Sequence, residues 1–79
     1  MKIYKMTMLE LNIVEKTEVQ IRMENEFFVL KGFITELGEL VIPAGTETFI
    51  LSPIEFRRDH SINRCFIKDE KNKKKILGK

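Results

Sequence analysis

Residues 17–24 read TEVQIRME, and this octet decides the fold class. Val19, Ile21 and Met23 alternate with Gln20, Arg22 and Glu24. That period of two suits a pleated strand and not a helix, whose side chains return to the same face every 3.6 residues. One face of such a strand is buried and the other meets water. Upstream, Leu9, Leu11 and Ile13 alternate with Glu10 and Asn12. This predicts a second strand, extended back over residues 3–8, with a hairpin break at Glu15 and Lys16. Downstream, Asn25 and Glu26 separate two β-prone runs and predict a tight turn.

The next run, FFVLKGFIT over residues 27–35, is apolar on both sides of the pleat. Phe27, Val29 and Phe33 fall on one face, and Phe28, Leu30 and Ile34 on the other. Both sets reach one small core only if the strand bends, and Gly32 is where a bend or bulge is expected. Without that bend, Phe27, Val29 and Phe33 form an exposed protein-interaction patch. Beyond it, Gly38 predicts a turn, residues 40–42 a short strand, Pro43, Ala44 and Gly45 another turn, and residues 46–51 a strand. Ser52 and Pro53 open one helical turn over residues 54–58, residues 59–61 form a loop, and residues 62–68 make the last strand.

Hairpin-length loops without βαβ spacing predict an all-β fold. An open meander this small would expose two edges, so the expected form is a five- or six-stranded antiparallel barrel or strongly bent sheet of SH3-like or Sm-like architecture. Residues 1–68 make up this domain. Residues 69–79, rich in Lys and interrupted only by Ile76 and Leu77, are expected to be a flexible basic tail.

Charge divides the chain at the same place. Residues 1–56 carry five Lys/Arg against nine Glu, and residues 57–79 carry nine Lys/Arg against three acids. The overall +2 therefore conceals an acidic body of −4 and a basic end of +6. Such asymmetry is the composition of a protein that docks. Arg57, Arg58 and Arg64, followed by Lys71, Lys73, Lys74 and Lys75, are the expected nucleic-acid-binding residues. Arg matches phosphate with a two-pronged donor geometry, and clustered Lys adds attraction independent of base sequence.

Catalytic classes find little support. The single imidazole, His60, stands between Asp59 and Ser61, but chain neighbours point in different directions and do not make a triad by contiguity. Cys65 is the lone cysteine, so no internal disulfide can form, and its place in an apolar run predicts a buried thiol. One Cys and one His cannot assemble a Cys/His zinc site. The four glycines are dispersed and form no phosphate-cradling loop. The longest uninterrupted apolar runs are four residues, such as residues 27–30, too short for a membrane span. Residues 1–11 lack the apolar core of an export signal. A complete small cytoplasmic protein, without cofactor or metal and open to homo-oligomerisation, is therefore expected. Its expected activity is regulatory binding rather than chemistry. The partner is a nucleic acid or nucleoprotein met by the basic end, or alternatively a protein met by an edge strand or the Phe27 face, as for a small inhibitor or a mobile-element adaptor.

Overall fold

The computed structural model describes residues 12–78. Among the described residues there are six strands: β1 (Ile13–Met23), β2 (Glu26–Thr35), β3 (Leu40–Ala44), β4 (Glu47–Leu51), β5 (Phe56–Asp59) and β6 (Arg64–Ile67). A 3-10 turn, Pro53–Glu55, separates β4 from β5, and a helix, α1 (Glu70–Leu77), follows β6. Of the strand expected over residues 3–13, residues 3–11 lie outside the described residues, and Ile13 is the first residue of β1.

The strands form one sheet in the order β4-β3-β2-β1-β6-β5, so β4 and β5 are its edges. These edges are also consecutive in the chain, joined only by residues 52–55. A flat six-stranded sheet would hold its edges about 24 Å apart, beyond the roughly 17 Å that five Cα steps can reach. The sheet must therefore curl into a half-barrel. Pro53 lies beside Gly38 in the β2–β3 turn, and Lys68, just after β6, donates from Nζ to the carbonyl of Ile54 at 3.3 Å. The link thus ties the two sides of the curl together.

Four sequence expectations for the sheet change here. The helical turn expected over residues 54–58 is confined to the 3-10 turn Pro53–Glu55, and residues 56–59 form β5. The sheet is mixed rather than wholly antiparallel, because β6 runs parallel to β1, with Val19 opposite Cys65. Glu15 and Lys16 do not break the chain into a hairpin. They lie within β1, and the irregularity there is a register shift between Ile13 and Glu15 that leaves Val14 as the extra residue of a bulge. Gly32 does not reverse the faces of β2, since alternation continues unbroken through it. Phe28, Leu30, Gly32 and Ile34 face inward, while Phe27 and Val29 stay 56% and 47% exposed on the outside. What Gly32 supplies is closeness: a Cβ built there would stand 2.5 Å from Val19 Cγ2 and 3.0 Å from Leu40 Cδ1.

The core fills the concave side with Val19, Ile21, Ile34, Leu40, Ile42, Leu51, Phe56, Cys65 and Ile67. Full burial of an aliphatic side chain stabilises by about 1.5–3 kcal/mol. Ile76 completes this cluster from α1, which corrects the expectation of a flexible tail. Asp69 caps the helix by accepting from the Lys71 amide at 3.2 Å. Gly78, at φ 73°, ends it in the left-handed conformation, with its N–H directed to the carbonyls of Lys74 and Lys75. Alone, a helix of this length would not persist in water. Ile76 and the partly buried Leu77 hold it across one end of the half-barrel, and Lys73 Nζ fastens it to the Arg22 carbonyl at 2.9 Å.

Candidate binding surface on the outer face of the sheet

Strand register places the outward side chains in rows. Arg22 stands opposite Phe27, Gln20 opposite Val29, Glu18 opposite Lys31, and Lys16 opposite Phe33. On the other flank of β1, Arg64 and Phe66 continue the rows of Glu18 and Gln20, and β5 adds Arg57 beside Phe66 and Asp59 beside Arg64. Paired residues share a face. The convex side of β1, β2, β5 and β6 thus carries three phenylalanines and five cations, Lys16, Arg22, Lys31, Arg57 and Arg64, against two carboxylates. Beyond the partly exposed Phe33 the row passes to Val41, which is fully buried, before reaching the exposed Ile50.

The remaining described acids lie off these outward rows: Glu15 stands beside the inward-facing Arg58, and Glu26 and Glu47 begin β2 and β4. Glu24 occupies the β1–β2 turn, and Glu36 and Glu39 the β2–β3 turn. Glu55 accepts from the Ser52 amide at 2.8 Å beside the 3-10 turn. Asp69 and Glu70 sit at the start of α1, where carboxylates favour the helix dipole. An acidic body therefore presents a cationic face, which its net charge conceals.

The seven cations expected to meet nucleic acid do not converge. Arg58 lies on the inward phase of β5 opposite Cys65. Its side chain is only 13% exposed and stands 2.9 Å from Glu15, and it donates to Asn63 Oδ1 at 3.0 Å. Arg64 faces outward, but Glu18 accepts from its Nη2 at 2.7 Å and from its Nε at 3.2 Å. Lys73 is engaged with Glu70 and with the Arg22 carbonyl. Arg57 is exposed, its guanidinium 4.3 Å from the Phe66 ring centroid, a cation–π arrangement that leaves its outer donors available. Lys71, Lys74 and Lys75 are exposed on α1. Phe27, Val29 and Phe33 share the outward phase of β2, with Phe27 and Val29 exposed and Phe33 partly buried.

Sequence reading missed Lys16, Arg22, Lys31 and Phe66 as members of this surface. Their signal was present as the polar phase of β1 and as Lys31 between Val29 and Phe33. Near Phe33 the surface dips into a cleft of about 300 Å³ lined by Lys16, Glu18, Lys31, Gly32, Phe33 and Asn63. Asn63 is held there in the left-handed region at φ 52°. Its carbonyl accepts from the Glu18 amide at 3.2 Å and the Thr17 hydroxyl at 3.0 Å, and its side-chain amide donates to the Lys16 carbonyl at 3.1 Å.

The polar loop residues have structural duties. Asp59 accepts from both the hydroxyl and the amide of Ser61, at 2.7 and 3.1 Å. The Ser61 hydroxyl, foremost among several causes, holds this carboxyl below its ordinary value. Burial pushes the Cys65 thiol up, although Thr17 Oγ1 lies 3.8 Å from its sulfur. A raised thiol pKa suits a core side chain and not a nucleophile. Among the described residues no three His, Cys, Asp or Glu side chains gather as a metal ion would require, and no helix is long and apolar enough to cross a membrane. Comparisons of this chain with protein-family models, with curated proteins and with solved structures returned no match.

Proposed function

We propose that this protein is a non-enzymatic binding and regulatory module that associates with nucleic acid or a nucleoprotein through positive potential. One observation carries the reading: charge is sorted by the fold. Most described carboxylates lie at turns, at strand or helix starts or beside the inward-facing Arg58, and only Glu18 and Asp59 among them join Lys16, Arg22, Lys31, Arg57 and Arg64 on the outward rows of β1, β2, β5 and β6, with Lys71, Lys74 and Lys75 on α1. Phosphate contacts require donors not already satisfied by internal carboxylates, so Arg57 and the helix lysines act as contacts and Arg58 as a scaffold residue. Likeness to SH3-like or Sm-like barrels carries none of this reading, because fold does not fix function.

The test is a fluorescence-anisotropy titration with duplex DNA, duplex RNA and single strands at low salt. Affinity should fall steeply with added salt. Replacing Lys71, Lys74 and Lys75 with Gln should flatten the slope of log K against log salt by about 0.7–0.9 for each phosphate no longer neutralised. No binding to any nucleic acid at low salt ends the proposal.

A second reading is supported by the exposure of Phe27 and Val29. As a protein-interaction module, a small inhibitor or an adaptor, the chain would bury this patch against a partner. Retention of one stoichiometric protein after nuclease treatment, abolished in Phe27→Ser, favours that reading over the first.

A further inference from the structure

From the outer face we infer that the nucleic acid is taken as a single strand, its bases stacked on Phe27 and Phe33 and its phosphates held by the cations around them. The inference rests on the nucleic-acid reading above and specifies its substrate class.

Two independent observations carry it. The first is the composition and geometry of the face. A duplex turns its bases inward and offers phosphate, so rings on a duplex-binding surface have nothing to stack on. Here Phe27 and Phe33 share the outward row of β2 with Lys31 and stand opposite Arg22 and Lys16. Phe27 and Phe33 stand six residues apart on β2, roughly 20 Å at about 3.3 Å per residue, and Phe66 lies two strands away across β1. Arg22 and Lys16 are the cross-strand neighbours of Phe27 and Phe33, so each of these rings has a cation directly beside it. Aromatic platforms flanked by a charged track are what sequence-tolerant single-strand binding requires, because every base has a stacking face and every nucleotide a phosphate.

The second observation is the cleft at Phe33. Its volume of about 300 Å³ is bordered by the ammonium-bearing Lys16 and Lys31, with Asn63 at its margin. The volume falls at the lower end of small-molecule sites. A cleft of this size would take one unstacked base against the Phe33 ring, with Lys16 and Lys31 of its lining to meet the flanking phosphates and Glu18, already held by Arg64, the one carboxylate in it. Charge complementarity selects this occupant over an acidic protein surface, because the same site sets an aromatic ring beside two cations. Of the two carboxylates on the face, Glu18 is offset by Arg64, whereas Asp59, held by the neutral Ser61, keeps its charge; the four other cations, Lys16, Arg22, Lys31 and Arg57, outnumber it.

The test uses the full chain and a fluorescein-labelled oligothymidylate of about fifteen nucleotides, near the upper size of single-strand sites on one small β domain. A duplex of equal length serves as the comparison. The chain should bind the single strand more tightly than the duplex. Phe27→Ala and Phe33→Ala should each weaken single-strand binding at least about fivefold, as expected for removal of one stacked base, with duplex binding unchanged. Phe27→Tyr should restore affinity, whereas Phe27→Leu, which keeps apolar bulk without a ring, should not. Both phenylalanines face outward, so far-UV circular dichroism should report the native fold in every variant. Equal affinity for both forms, abolished by neutralising Lys71, Lys74 and Lys75 but indifferent to Phe27 and Phe33, overturns this inference and leaves the broader proposal standing. Failure to bind either probe removes both. Rescue by Leu as complete as by Tyr also overturns it, in favour of an apolar protein contact.

Discussion

Gly32→Ala puts the packing of this fold to its severest test. Gly32 lies inside β2 opposite Thr17, and its backbone is not left-handed, so alanine meets no conformational barrier there. Its difficulty is space. The new methyl would lie 2.5 Å from Val19 Cγ2, 3.0 Å from Leu40 Cδ1 and 3.4 Å from Thr17 Cγ2. Val19 and Leu40 are both fully buried, so neither can yield without displacing further core side chains. Overpacking of this kind costs about 1–3 kcal/mol, offset by about 0.4–1 kcal/mol from the stiffer unfolded chain. The net loss should be roughly 1–2 kcal/mol, which lowers the melting midpoint by roughly 5–15 °C in a domain of this size. Against the roughly 3–5 kcal/mol that a core this small supplies, that is a large fraction. Urea unfolding followed by circular dichroism measures the loss. Repeating the substitution in a Val19→Ala background, where the obstructing methyl is gone, should make it close to neutral. The coupling should then reach about 1 kcal/mol or more. An unchanged or raised midpoint for Gly32→Ala would refute the reasoning, as would an equal loss in both backgrounds.

Three further outcomes follow from the same structure. Ile76→Ala should cost about 2–4 kcal/mol and abolish the helical circular-dichroism signal of α1, because the helix is too short to survive without its anchor; retention of that signal would mean that the caps suffice. The Cys65 thiol, raised by burial, should react with a thiol reagent at pH 8 far more slowly in the native protein than in urea, and labelling at equal rates would contradict its placement in the core. Asp59 has a lowered carboxyl, so the stability it contributes is fully present above its unfolded value and is lost as the pH falls through its folded one. The stability gap between the native chain and Asp59→Ala should therefore stay constant from neutrality to about pH 5 and narrow on further acidification. A gap that widens in acid would exclude the Ser61 contact as its origin.

The sequence determined that this protein is a β sheet, because alternation over residues 17–24 and 27–35 is a local property that pleated geometry reads directly. It also held the boundaries of α1, although composition argued otherwise: Asp69 and Gly78 are start and stop signals, and Ile76 is an anchor, within a run whose charge suggested a solvated tail. Only the tertiary structure decided which charges are available. Arg58 and Arg57 are neighbours in sequence, yet strand pairing turns one inward to Glu15 and the other outward over Phe66. Arg64 is drawn to Glu18 by a parallel pairing that no local pattern announces. Strand alternation tells which residues share a side, but which side becomes the core, and which strand lies next, depends on contacts between residues more than forty positions apart. For that reason the positive face, built from β1, β2, β5 and β6 together, exists only once the sheet has formed.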